Sequence, residues 1–152
     1  EYKVGCQWSP CHLNHRRIKM SQWVQDIADM HTKYGVNPKV REFDKEKLKK
    51  FLQFRIAFLQ EELDEMKSAT NGDDVVDALI DLCVVAIGTL DAFEIDSQTA
   101  WKRVHDANMN KEVGIKASRP NPLGLPDLIK PEGWTAPTHA DNVGLLSKLY
   151  EV

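Results

Sequence analysis

Two stretches decide the fold between them: LKKFLQFRIAFLQEELDEM, residues 48–66, and DDVVDALIDLCVVAIGTLDAF, residues 73–93. In the first, Leu48, Leu52, Ile56, Leu59, Leu63 and Met66 recur at helical spacing, with Lys49, Gln53, Gln60, Asp64 and Lys67 on the opposite side. Asp44 is placed to cap this helix and Asn71-Gly72 to end it. The second stretch is apolar almost all round, so a helix from Val75 to about Phe93 is expected as the central, buried element. Asp73 and Asp74 precede it, where the positive end of a helix favours acids.

The flanks extend the helical pattern. Ser21 is suited to cap a helix carrying Trp23, Ile27, Met30 and Tyr34 inward, with Gly35 as its stop and Asn37-Pro38 as a break. A further helix after Ser97 is expected to turn Ala100, Trp101, Val104 and Ala107 inward and to fade near Asn110 or Lys111. Five of the seven prolines lie between Pro120 and Pro137, which rules out long helices there. An extended arm is expected, closed by a short helix around residues 142–150, with no strand pattern. The expected architecture is all-α, a four-helix-bundle-like catalytic domain over residues 20–112 with a Pro-rich arm over 113–152. Four short helices, one almost wholly apolar, leave more apolar surface than one copy covers, so a homodimer or homotetramer is expected.

Residues 1–19 read as an appendage, non-native or disordered, with Met20-Ser21 a plausible start. Within it Cys6, Cys11, His12 and His15 are soft and borderline ligands, but their spacing fits no established zinc pattern. The three cysteines Cys6, Cys11 and Cys83 cannot all pair within one chain, and with no apolar signal core this favours a cytoplasmic setting. The apolar run from Val75 to Leu90 is broken by Asp77 and Asp81 and is too short for a bilayer. A net charge of −3 gives no basic field for a nucleic-acid polymer.

Function is argued from where the acids fall. Eight of the twenty-three lie between residues 61 and 81. A helix turns about 100° per residue, so Glu61, Glu65 and Glu62 project within one arc that belongs neither to the apolar stripe nor to the solvent face. That arc continues as Phe51, Phe54 and Phe58, the mark of a cleft. Asp77 and Asp81 stand one turn apart on the next helix, with Asp74 on the same side, on a face that continues as Val84, Val85 and Gly88. No Lys or Arg occurs between Ser68 and Lys102 to compensate them. Hard oxygen ligands from two helices suit Mg²⁺, with Mn²⁺ as a substitute, and such ions share their remaining positions with phosphate oxygens. A ferritin-like di-iron bundle would need Glu-x-x-His, which does not occur.

These residues resemble a known family. The run from Arg55 through Glu61, Glu62 and Glu65, then Asp77, Asp81 and Gly88-Thr89, is similar to the all-α nucleoside triphosphate pyrophosphatases of the MazG and phosphoribosyl-ATP pyrophosphohydrolase type, especially the phage-borne MazG-like proteins. The resemblance extends from His31, Tyr34 and Gly35 to Ala107-Asn108-Met109 and Lys111. The family's second signature is Glu-x-x-Asp, whereas Ala78 stands three before Asp81 and Asp77 four before, so Asp81 is the firmer ligand.

The resemblance implies Mg²⁺-dependent hydrolysis of a (d)NTP to the monophosphate and pyrophosphate, in nucleotide-pool control by a phage or a host. Glu61, Glu62, Glu65, Asp77 and Asp81 are then metal ligands. Glu61 or Glu62 is the base for the attacking water, and sequence does not choose between them. Asn108 and Lys111 match the family's substrate-binding positions. His31 and Arg55 are candidates for base, ribose or phosphate contact, and Lys116, Arg119 and Lys130 for an arm folding over the ligand. Trp134 is a candidate for stacking on a base. Phosphoribosyl-ATP hydrolysis and a catalytically silent nucleotide- or metal-binding regulator are the alternatives.

Overall fold

The computed structural model describes residues 21–116, 118 and 123–150; the expectations for residues 1–19 and for Arg119 lie outside these. The chain is all-α: helices α1 (Gln22–Tyr34), α2 (Val36–Arg41), α3 (Lys45–Ser68), α4 (Gly72–Ala92) and α5 (Ser97–Met109) precede two three-residue strands. These are β1 (Glu112–Gly114) and β2 (Asp127–Ile129), and a short 3₁₀ helix (Gly144–Lys148) follows.

Local chemistry sets the helix ends. The Ser21 hydroxyl accepts from the Val24 N–H, and Gly35 closes α1 in the left-handed region at φ 65°. The Asp44 carboxylate accepts from the Lys47 N–H at 2.8 Å to start α3. Asn71 does not end α3, which stops at Ser68; its side-chain oxygen accepts from the Asp74 N–H at 3.0 Å and starts α4 instead. An amide side chain that can accept from the next turn is worth more at the beginning of a helix than after its end. Asn37-Pro38, expected as a break, lies in the first turn of α2, where a missing N–H costs nothing.

α4 is the centre of the bundle, packed against α3 along most of its length and touched by α1, α2 and α5. The fully buried core is at one end: Val40, Leu48, Ala92 and Phe93, with Phe43, Phe51, Leu52, the 3₁₀-helix residues Leu145 and Leu146, and Leu149 just after that helix, around them. Phe51 packs at 5.5 Å between centroids on Phe93 and edge-on to Phe43 at 6.0 Å. Leu48 opens α3 and Phe93 follows α4, so the acids at the other ends of these helices lie away from this core.

Several apolar positions differ from expectation. In α1 the buried residues are Ile27 and His31, one turn apart, while Trp23 and Tyr34 are exposed. In α5 Trp101 is 73% exposed and Val104 is exposed too. Val76, Leu79 and Ile80 on α4 and Phe54 and Ile56 on α3 also face outward from a single chain. Helical spacing identifies an apolar stripe but not which neighbour covers it.

Among its described residues the segment after α5 contains a hairpin of strands that the sequence did not suggest. Glu112 pairs with Ile129, Val113 with Leu128 and Gly114 with Asp127, and three residues per strand are too few to show alternation. Gly114 is required there, because a Cβ would come within 2.6 Å of the Ile129 side chain. The rest of the arm is tied to α5: Arg103 grips the Asp141 carboxylate with both terminal nitrogens at 2.6 and 2.7 Å and donates to Thr138 O at 3.1 Å. No helix among the described residues is long and apolar enough to cross a membrane.

Candidate active site

Glu62 is the focus of the acid-bearing ends of α3 and α4. It is half-buried, and its Oε2 is shut off from solvent without a hydrogen-bond partner among the described residues. Its carboxyl is pushed above the ordinary value of 4.5, first by desolvation and then by the negative fields of Glu65, Asp81, Glu61 and Asp77. Those four, with Glu62, are the five acids singled out in the sequence, and they come from both helices. Asp81 is half-buried, whereas Glu61, Glu65 and Asp77 are exposed. Ala78, three residues before Asp81, is buried in the bundle, where a carboxylate would lack compensation.

The acids are close enough to act on Glu62, yet among the described residues no three His, Cys, Asp or Glu side chains close in to metal-ligating distance. The donor chemistry suits a hard divalent cation: five carboxylates, one with a shielded and unbonded oxygen, and no basic residue from Ser68 to Trp101. Asp64 is apart from this group, held by Lys67 and Gln60, which lower its pKa.

Arg55 leaves α3 toward α4 but meets no carboxylate among the described residues. Its Nε donates to Thr89 Oγ1 at 2.9 Å, and its Nη2 donates to the Val85 carbonyl at 2.9 Å, an acceptor shared with the Thr89 hydroxyl. Burial pulls its pKa below the usual value, and its guanidinium also lies 5.7 Å from the Phe58 ring centroid. The close crossing depends on Gly88, where a Cβ would stand 3.1 Å from Arg55 Nη2 and 3.3 Å from His31 Nε2. His31 and Arg55, far apart in sequence, thus flank one point of α4.

His31 is buried, with Nδ1 2.7 Å from Asp91 Oδ2. The same carboxylate oxygen accepts from the Asn37 amide at 3.0 Å. Asp91 and Asn37 were not singled out in the sequence. The available signal was Asp91 itself, an acid in the apolar half of α4 that needs a donor once buried.

The remaining substrate-binding candidates lie at the end of α5 and in the arm. Lys111 donates to Asn108 Oδ1 at 2.8 Å and stands 5.6 Å from the centroid of Trp134; Lys130 stands 4.6 Å from it. Trp134 donates from Nε1 to the Ala107 carbonyl at 2.8 Å, so its ring is fixed. Lys116, half-buried, is not part of this cluster.

Residues 36–108 match the family model described as Phosphoribosyl-ATP pyrophosphohydrolase. No curated protein and no solved structure gives a match. The matched segment spans α2 through nearly all of α5 and holds all five converging acids with Arg55, Gly88 and Asp91. An all-α bundle whose two longest helices turn their acids toward one another is what residues 36–108 share with the phosphoribosyl-ATP pyrophosphohydrolase family they match, a family that belongs to the MazG-like all-α nucleoside triphosphate pyrophosphatase superfamily.

Proposed function

We propose that this chain is a divalent-metal-dependent pyrophosphohydrolase that converts a (d)NTP, with dGTP, GTP and dUTP as leading candidates, to the monophosphate and pyrophosphate. The single observation that carries the reading is Glu62, a shielded carboxylate with no donor, set among four other acids from two helices. Glu61, Glu62, Glu65, Asp77 and Asp81 would hold Mg²⁺ or Mn²⁺, and Asp81, half-buried, is the firmer α4 ligand. When bound, the cation offsets the charge of the phosphoanhydride as its bridging oxygen leaves.

The chain's own side chains supply the rest. Glu61 or Glu62 takes the proton of the attacking water, and in Glu62 the raised pKa suits that role. Asn108 and Lys111 bind polar and phosphate oxygens at the end of α5. The exposed apolar residues Val76, Leu79, Ile80, Phe54 and Ile56 support a homodimer or homotetramer. The setting is nucleotide-pool control in the cytoplasm, that of a host if the chain is phage-borne.

The test is pyrophosphate release from a panel of canonical and modified triphosphates and phosphoribosyl-ATP, with Mg²⁺ and with EDTA. Monophosphate and pyrophosphate formed only with metal support the proposal. Turnover confined to phosphoribosyl-ATP selects the reading that the matched family's name favours. No pyrophosphate from any substrate leaves a silent nucleotide- or metal-binding regulator.

A further inference from the structure

The outward face of α4 is a continuous apolar seam. Val76, Ile80, Cys83, Ile87 and Leu90 alternate at spacings of four and three, the pattern of a helix that packs lengthwise on another helix. Leu79 and Ala86 flank them. At about 100° per residue, the other six all lie within about 60° of Cys83 around the helix. The buried residues Ala78, Val85, Gly88 and Ala92 are on the opposite side, turned into the bundle. Asp77 and Asp81 are about 120° and 160° round from Cys83, so the seam carries no charge. Within one chain its N-terminal half is open to water: Val76 is 59%, Leu79 45% and Ile80 44% exposed.

The seam is symmetric about Cys83. Val76 and Leu90 stand seven residues to either side, Leu79 and Ile87 four, and Ile80 and Ala86 three. When two copies of such a helix cross antiparallel about a two-fold axis, residues equally far before and after the axis face each other. Every apolar residue of the seam then meets an apolar residue of the partner.

Charge selects the antiparallel direction. A parallel pair would bring the acidic first turns, with Asp73 and Asp74, of both copies together. The antiparallel pair sets each first turn level with the far end of the other α4. There α2 is tied on by Asn37 to Asp91 and by Arg41 to Glu94, and it carries the exposed Lys39, which has no ion pair among the described residues.

We propose that α4 packs antiparallel on α4 of a second copy of this chain, with Cys83 on the two-fold axis. This interface rests on the homo-oligomer reading given above and does not depend on the activity. The acids of each copy stay on faces turned away from it.

The test uses the full chain with Cys6→Ser and Cys11→Ser, which leaves Cys83 as its one thiol. Light scattering should give two or four copies. Diamide, by taking two electrons and two protons from a pair of thiols, should form a Cys83–Cys83 disulfide and double the mass on a non-reducing gel. Adding Cys83→Ser should abolish the product, and so should unfolding in urea before oxidation. Ile80→Lys should halve the dimer mass in solution, and so should Ala86→Glu, at a site already exposed in one copy. The two together set opposite charges at facing positions and should restore the dimer. A dimer or tetramer that forms no Cys83 disulfide, or that survives both single substitutions, overturns the seam as the interface and leaves the homo-oligomer reading standing. A monomer at every concentration overturns both.

Discussion

His31 Nδ1 stands 2.7 Å from Asp91 Oδ2, joining the buried face of α1 to the last turn of α4. An ionised carboxylate only accepts, so the imidazole donates through Nδ1 and turns Nε2 toward Gly88, beside Arg55. Asp91→Ala removes the acceptor of His31 and the nearer of the two acceptors of the Asn37 amide, which keeps only the Asp91 carbonyl at 3.3 Å. A loss of about 2–3 kcal/mol in urea unfolding is expected. Asp91→Asn, which keeps one carbonyl oxygen, should cost less than the alanine variant. Equal stability of all three proteins would mean the contact contributes nothing.

Glu62→Gln should separate catalysis from stability. A raised pKa means that the fold favours the protonated carboxyl more than the unfolded chain does, so ionisation above 4.5 subtracts stability. Glutamine removes that charge. In EDTA at pH 7 the variant should melt higher than the wild type, and the difference should vanish as pH falls below 4.5 and Glu62 itself becomes protonated. Pyrophosphate release should fall by about 10²-fold or more. A lower melting temperature in EDTA at pH 7 would show that Glu62 is compensated by something within the fold.

Asp81 and Asp77 both raise Glu62, with Asp81 the stronger of the two, and Asp81 is the more buried. Asp81→Asn should therefore reduce pyrophosphate release by about 10²-fold and Asp77→Asn by less than about tenfold. Mg²⁺ titration of activity is the second readout: the apparent metal requirement should rise more for Asp81→Asn. The reverse order would move the dominant α4 ligand one turn toward the N-terminus.

The acid clusters were legible because helical spacing alone puts Glu61, Glu62 and Glu65 in one arc and Asp77 with Asp81 on one face. Capping was equally legible at Ser21 and Asp44, where donor and acceptor are three residues apart. Facing partners were not. Trp101 has helical spacing with Ala100 and Val104 but lies outward, and Asp91 finds His31 sixty residues away. The β1–β2 pairing is also non-local and short, so it left no periodic trace. Arg55 shows the same limit at the site: its place before the glutamates suggested a charged partner, whereas the close approach at Gly88 delivers it to Thr89 and the Val85 carbonyl.

The Arg103–Asp141 pair fixes the arm to α5, and its pH window is set by the carboxylate. Bonding to the Arg103 guanidinium lowers Asp141 from 3.8 to about 2. A depressed pKa stabilises the fold fully above 3.8, and that contribution is lost as pH falls through about 2. Both groups are in contact with solvent, so the effect on global stability is small. The direct measurement is the Asp141 side-chain carbonyl resonance against pH, with a midpoint near 2 in the wild type that rises toward 3.8 in Arg103→Ala, where the weaker pull of the Asp141 backbone N–H and of His139 remains. Midpoints that coincide would remove the pair as the cause.

Gly144 begins the 3₁₀ helix that places Leu145, Leu146 and Leu149 on the Phe93 end of the core. Its φ is 50°, and a Cβ there would stand 2.0 Å from the Phe93 carbonyl oxygen and 2.8 Å from that of Glu94. Both obstacles are backbone, so neither swings aside, and the Leu145 N–H that donates to Phe93 O at 2.8 Å would be pushed off with them. Gly144→Ala combines a left-handed conformation with a steric clash and the loss of a buried contact, and about 2–3 kcal/mol should be lost. Gly133, at φ 77° with nothing within 4 Å of its would-be Cβ, isolates the conformational part, and Gly133→Ala should cost about 1 kcal/mol. Tryptic cleavage after Lys148 reports the unseating directly, since release of this segment exposes the bond before global unfolding does. Faster cleavage in Gly144→Ala than in Gly133→Ala is expected; equal rates would mean that the 3₁₀ helix is not held at Phe93 by the close approach of its glycine.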